Sequence, residues 1–225
     1  MMKKMNDEEI RVLGCLLEKS VITPEQYPLT LNALTNACNQ KSSRNPVMSM
    51  EPGAVQRAVL SLQAKRVATI DENFRKQTEK YSHRFCNTPF SDYQFDEAQL
   101  AAVCVLLLRG TRTPGEIRAN SGRLHTFADN EAVVETLQSL LDYEGGPLVA
   151  MLPRTPGRRD AEFVHLFGEV VEAAEPPATV VRSAVGDLRA PTPTPSTLAA
   201  RVEHLEAEVQ ALKRLIHSIT DAAAE

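Results

Sequence analysis

Val12-Leu13-Gly14-Cys15-Leu16-Leu17-Glu18-Lys19 decides the fold, because its pattern occurs twice. Ninety positions on, Ala102, Val103, Leu106, Leu107 and Arg109 stand where Val12, Leu13, Leu16, Leu17 and Lys19 stand, and Thr113-Pro114 stands where Thr23-Pro24 does. The same order of parts follows each copy. A short helical stretch gives way to a long amphipathic one, residues 52–65 in the first copy and 130–141 in the second. Two β-like runs then close each copy: 67–70 and 80–85 around a charged tip, and 148–152 and 161–167 around residues 153–160. A repeat this long is a duplicated domain and not a solenoid unit, since each copy carries enough apolar faces to close a small core. Three helices and a hairpin, twice over, predict a mainly α chain with small β-hairpins, an α+β fold. The layout is that of two tandem winged-helix (helix-turn-helix) domains, residues 6–90 and 91–168, followed by a coiled-coil helix.

Composition agrees with two small domains in 225 residues. No apolar run approaches the ~18–20 residues that a membrane helix needs, and the first nine residues are charged where a secretory signal is apolar. The expected location is cytoplasmic, with no membrane partner. Cys15, Cys38, Cys86 and Cys104 fall singly within apolar stretches, without Cys-x-x-Cys spacing, and read as small buried hydrophobes with no metal site.

Charge is divided unevenly. The chain carries −4 overall, yet residues 1–90 hold 13 Lys and Arg against 9 Asp and Glu, and the remainder 12 against 20. Residues 41–90 alone hold nine basic side chains against four acidic ones. One basic face on a weakly acidic protein is enough to dock on a duplex through phosphate contacts.

In the first copy Asp7 reads as a helix cap before Ile10, Leu13, Leu16 and Leu17 at helical spacing. A second helix is expected over residues 29–39, and a third from Pro52, capped by Ser49 or Glu51, with Val55, Ala58, Val59 and Leu62 as its buried stripe. Between them, residues 39–46 break periodicity with polar side chains and read as an exposed loop. In a helix-turn-helix the third helix enters the major groove and the wing lies along the backbone. That logic nominates Lys41, Ser42, Ser43 and Arg44 in the loop for phosphate, Gln56 and Arg57 on the helix for bases, and Arg75, Lys76 and Lys80 at the wing for the backbone.

Tyr27-Pro28-Leu29-Thr30-Leu31-Asn32-Ala33-Leu34, then Ala37-Cys38-Asn39-Gln40-Lys41-Ser42-Ser43-Arg44-Asn45-Pro46-Val47, strongly resembles the YceH-type family of bacterial proteins. Lys80-Tyr81-Ser82-His83-Arg84-Phe85 fits it as well. The resemblance covers both helix-rich copies and a carboxyl-terminal coiled segment. It implies a pair of winged-helix domains with a DNA-binding or regulatory role, and it supplies no catalytic residues.

The second copy differs in chemistry. Around Val133, Val134, Leu137, Leu140 and Leu141 its third helix offers Asp129, Asn130, Glu131, Glu135 and Gln138, and negative groups there would face phosphate. That copy is expected to bind protein or to pack on the first, leaving only Arg154, Arg158 and Arg159 for nucleic acid. His83 and His165 occupy equivalent places in the two final strands, which favours a structural role over metal binding or acid/base chemistry. No phosphate loop, Gly-x-Ser-x-Gly or metal-ligand spacing is present, so neither catalysis nor a cofactor is expected.

Residues 169–197 form a Pro/Ala/Thr-rich linker by composition. After it Leu198, Leu205, Leu212 and Ile219 alternate with Val202, Val209 and Ile216, a heptad over residues 198–219 that predicts a parallel two-stranded coiled coil. Two function classes follow: a dimeric DNA-binding protein reading two half-sites, or an adaptor whose paired winged helices bind another protein.

Overall fold

Asn6 opens the first helix, α1 (Asp7–Ile22): its side chain accepts from the Glu9 amide, and the Glu9 carboxylate accepts from the Asn6 amide. The cap sits one residue before Asp7 because only Asn6 has a Glu three positions on to complete a capping box. The computed structural model describes residues 3–73, 78–89, 91–153 and 160–168. A short 3₁₀ turn (Pro24–Gln26) leads to α2 (Leu31–Cys38), and a loop to α3 (Pro52–Ala64), which starts on Pro52 without a side-chain cap from Glu51. β1 (Ala68–Asn73) and β2 (Thr78–His83) pair antiparallel, with Ala68 opposite His83 and Asp71 opposite Lys80. The order then repeats: α4 (Glu97–Arg109), α5 (Pro114–Ser121), α6 (Asn130–Leu141), then β3 (Val149–Met151) antiparallel to β4 (Phe163–His165). The chain is therefore α+β, six α-helices and two small hairpins among the described residues.

Each hairpin gains a third segment. Leu29, just before α2, exchanges both backbone hydrogen bonds with Tyr81, and Arg112, just before α5, does the same with Phe163. Thr30 and Thr113 follow as N-caps of α2 and α5. This corrects the pairing of Thr23-Pro24 with Thr113-Pro114: Thr30 is the counterpart of Thr113. The cause lies at the ends of the preceding helices. α4 stops at Gly110, whose φ of +71° ends the helix and turns the chain directly toward Arg112, whereas α1 runs on to Ile22 and needs the extra 3₁₀ turn.

Both copies belong to one unit, residues 1–174, and share one hydrophobic core. α1 and α4 form its centre. Every residue from Glu9 to Glu18 and from Ala101 to Leu108 is buried, so these helices are covered all round and not along one stripe. They cross where Gly14 permits it. A Cβ at Gly14 would lie 2.8 Å from Leu108 Cδ2, and the Cys104 thiol donates to the Gly14 carbonyl at 3.7 Å. Gly14 and Cys104 are repeat equivalents, as are Phe85 and Phe167, whose rings meet edge-on at 5.1 Å. Equivalent positions touching each other is the signature of an isologous contact, here formed inside one chain. The linker (residues 169–197) and the heptad of residues 198–219 lie outside the described residues. No helix among the described residues is long and apolar enough to cross a membrane.

Candidate nucleic-acid interface

The loop between α2 and α3 is pinned from three sides. Asn39 bridges its ends, its amide donating to the Met50 carbonyl at 2.8 Å and its carbonyl accepting from the Met50 amide at 2.7 Å. Arg11 of α1, 2 % exposed, donates to the Cys38 and Pro46 carbonyls. Asn45 donates through its backbone to the Leu108 carbonyl at 2.9 Å and through its side chain to the Arg109 carbonyl at 3.3 Å. Those carbonyls end α4 and have no partner within it, so the first copy's loop caps the second copy's helix.

Arg44 departs from the sequence expectation. It is buried, and all five of its N–H donors are used: two on Glu18 (3.0 and 2.6 Å), one each on Gln40 Oε1, the Ala37 carbonyl and the Ser43 carbonyl. Nothing is left for phosphate, and Arg44 leaves the set of candidate DNA contacts. Burial pushes the Glu18 carboxyl up, but the hydrogen bonds and charge of Arg44, with Lys19 at 3.2 Å, hold it below its ordinary value. Burial likewise pushes Arg44 down, and Glu18 more than reverses it. Ser43, half-buried, takes φ +62° so that its carbonyl can turn back onto Arg44. Lys41 and Ser42 stay exposed on the outer face of the same loop.

On α3 the two ends differ. Gln56 and Arg57 are exposed beside Pro52 and Gly53 in the amino-terminal half. Toward the other end Lys65 is taken up by Glu9 at 2.6 Å and by the Lys4 carbonyl, and Ser61 hydrogen-bonds Glu9. Burial raises the Glu9 carboxyl, and Lys65, Ser61 and the Asn6 amide together bring it below its ordinary value. Lys80 is exposed on β2 with Asp71 facing it across the ladder. Arg75 and Lys76 lie outside the described residues, as do Arg154, Arg158 and Arg159.

Superposing the buried stripes, Val55, Val59 and Leu62 of α3 against Val133, Leu137 and Leu140 of α6, puts Val134 and Glu135 where Gln56 and Arg57 stand. Val134 is 46 % exposed, and Glu131, Glu135 and Gln138 surround it on the open face. His83 and His165 are mostly buried, and burial lowers each to about 4, so both rings are neutral near pH 7. In each the Nδ1 atom is buried without a hydrogen-bond partner among the described residues.

The sequence reading missed one feature. At the seam between the copies, Arg109 and Arg123 border a cleft of about 270 Å³ together with Ser43, Asn120 and Glu18. Its signal was present, since the basic position Lys19/Arg109 is part of the repeated stretch.

The family model described as "Protein of unknown function, DUF480" matches residues 5–158. The chain is 48 % identical to a UPF0502 protein of Shewanella woodyi over 216 residues, 95 % of this chain and 97 % of that one. It is 43 % identical to a UPF0502 protein of Hahella chejuensis over 219 residues, 97 % and 98 % of the two chains. A UPF0502 protein of Vibrio vulnificus is 47 % identical over 208 residues, 92 % of this chain and 90 % of that one. Matched along nearly its whole length, and consistent with the resemblance carried by residues 27–47, the chain belongs to the DUF480 family of UPF0502 proteins.

Proposed function

We propose that this protein is a non-enzymatic DNA-binding protein, regulator-like in function, built from two winged-helix modules and dimerised through the heptad of residues 198–219. Supporting the winged-helix reading are the order helix, helix, helix, hairpin in both copies and the third sheet segment at Leu29 and at Arg112. The observation that carries the DNA reading is the division of α3: Gln56 and Arg57 are exposed at the amino-terminal half, while Lys65 and Ser61 are held by Glu9. A recognition helix presents that half to base edges. Lys41 and Ser42 precede it on a loop that five Arg44 bonds and the Asn39–Met50 bridge make rigid, so phosphate contacts there need little ordering.

The heptad pairs two chains, and the linker of residues 169–197 leaves the spacing of the two half-sites loose. The test is binding of the full chain to random duplex DNA across a salt series. Wild type binds at low salt with affinity falling steeply as salt rises, and Lys41→Ala and Arg57→Ala each weaken it, Lys41→Ala lowering the slope by about 1. No binding at low salt removes the reading.

A second reading, an adaptor that binds protein through the second module, is favoured by Val134 and Glu135 in place of Gln56 and Arg57. An apolar side chain ringed by carboxylates suits a basic protein surface and not phosphate.

A further inference from the structure

From the cleft at the seam of the two copies, we infer that this protein holds a phosphate group between Arg109 and Arg123. The cleft is built from α1, the loop before α3 and the carboxyl-terminal ends of α4 and α5, so its walls come from both copies. Arg109 is half-buried there and Arg123 exposed at the rim, and among the described residues neither side chain has an ion-pair or hydrogen-bond partner. Most of the molecule's other inward-facing basic groups are accounted for: Arg44 by Glu18, Lys65 by Glu9, Arg11 by two carbonyls. Among the described residues the one carboxylate lining the cleft, Glu18, is already shared by Arg44 and Lys19. Arg109 is lowered first by burial and then by the like charges of Arg112 and Arg44, which outweigh the opposing pull of Glu18, so the field at its guanidinium is net positive.

Geometry and surroundings suit an oxyanion. Val105, Leu108 and Leu124 give the cleft apolar walls, which keep the field from being screened, and a volume of about 270 Å³ admits a phosphate with a small attached body. Two guanidinium groups offer planar donor forks to phosphate oxygens. Ser43, on the left-handed turn that Arg44 holds, adds a hydroxyl at the edge. The shared chemistry is a phosphate monoester or diester. Its two sources are a small phosphorylated molecule, or the backbone of a duplex lying over the same loop that bears Lys41 and Ser42. Only the second source rests on the DNA reading.

The experiment titrates the full chain with inorganic pyrophosphate against sodium chloride at matched ionic strength, following thermal unfolding and the ³¹P signal. It is repeated with Arg123→Gln and with Arg109→Gln/Arg123→Gln. Arg123→Gln is included because an exposed side chain can be changed without touching the core. Pyrophosphate stabilises wild type, and affinity falls about tenfold for each arginine removed, the size expected for a lost charge-assisted hydrogen bond. Duplex DNA is then added. If duplex leaves pyrophosphate bound, the ligand is a small phosphorylated molecule, even where Arg57→Ala has no effect on DNA and the DNA reading fails. If duplex displaces it, or the cleft variants lower the salt slope of duplex binding, the backbone is the source. The inference is overturned if pyrophosphate neither stabilises nor shifts, and duplex binding responds to Arg57→Ala but not to the cleft variants. Binding that both cleft variants retain unchanged overturns it equally.

Discussion

Arg44 and Glu18 face each other as a buried two-point ion pair, 26 residues apart in sequence, with the arginine side chain fully enclosed. The pair ties the loop before α3 to the central helix α1. Removing one partner strands the other in a low-dielectric interior, which costs about 3–5 kcal/mol in comparable buried pairs. Arg44→Ala is therefore expected to lower unfolding stability by roughly that amount in urea titration. The salt slope of duplex binding should stay at the wild-type value, because Arg44 has no donor left for phosphate, while affinity per folded molecule falls only by the cost of ordering a loop that Arg44 no longer holds. A lost unit of slope with unchanged stability is the opposite pattern and would return Arg44 to the interface.

The histidines make stability depend on pH well above the carboxylate range. His83 and His165 have folded values near 4 against 6.5 when unfolded, so between these limits the unfolded chain binds more protons. Their contribution is complete above about pH 6.5 and is lost as pH falls toward 4. Glu9 and Glu18 act in the lower window: their folded values lie below 4.5, and the stability they add is lost as pH drops through them. Melting temperature should thus decline from pH 7 to pH 5, and His83→Phe/His165→Phe should flatten that decline while leaving the limb below pH 4.5 in place. An unchanged slope in the double variant would show that the two rings titrate alike in the folded and unfolded chain.

Gly14 sets the approach of α1 to α4. Alanine there gains about 1 kcal/mol of helix propensity, but its Cβ meets Leu108 Cδ2 at 2.8 Å, Leu108 Cγ at 2.9 Å and Leu107 Cβ at 3.3 Å. Leu108 is 3 % exposed and has little room to withdraw. Overpacking of this kind costs about 1–3 kcal/mol, so the net change is a loss of about 1 kcal/mol and a melting temperature lower by a few degrees. A stabilised Gly14→Ala protein would mean that the two helices slide freely at the seam.

The repeat made most of this architecture legible. Apolar spacing located α3 and α6 to within a residue or two, and alternation found both hairpins. The missed features are long-range ones. Glu18 looks like an ordinary polar residue at the end of a helix until Arg44 folds onto it, and polar loops read as solvated unless their partners are known. The burial of α1 and α4 on all sides follows from packing the copies against each other, which no single periodicity records. Thr23-Pro24 misled because two Thr-led starts compete, and only the bridges at Leu29 and Arg112 show that Thr30 is the match for Thr113. At the candidate site, exposure of Gln56, Arg57 and Lys41 agrees with the sequence reading, while the seam cleft depends on the end of α4 and the turn after α5 bringing Arg109 and Arg123 to one cavity.

Dimerisation is the prediction that concerns residues 198–219. Leu205 and Leu212 occupy d positions, with Val202, Val209 and Ile216 at a, so a charge at the centre of each seam layer opposes pairing in register. On the proposed pairing, wild type should sediment as a dimer and Leu205→Asp/Leu212→Asp as a monomer at the same concentration, with an unchanged melting transition for residues 1–174. Its duplex affinity should fall by the avidity of two linked sites, about 10²–10⁴-fold, while the salt slope per chain is retained.

The second module gives the complementary test. Glu131 and Glu135 flank Val134 on the exposed face of α6, where phosphate would meet two negative charges. If DNA is held by the first module alone, these carboxylates lie outside the contact, and salt screens the field they exert on it. Glu131→Gln/Glu135→Gln should therefore change duplex affinity by no more than about twofold at 0.15 M salt, in a fluorescence anisotropy titration. A large gain would place α6 against the duplex as well, and a large loss would make the acidic face part of what positions the first module.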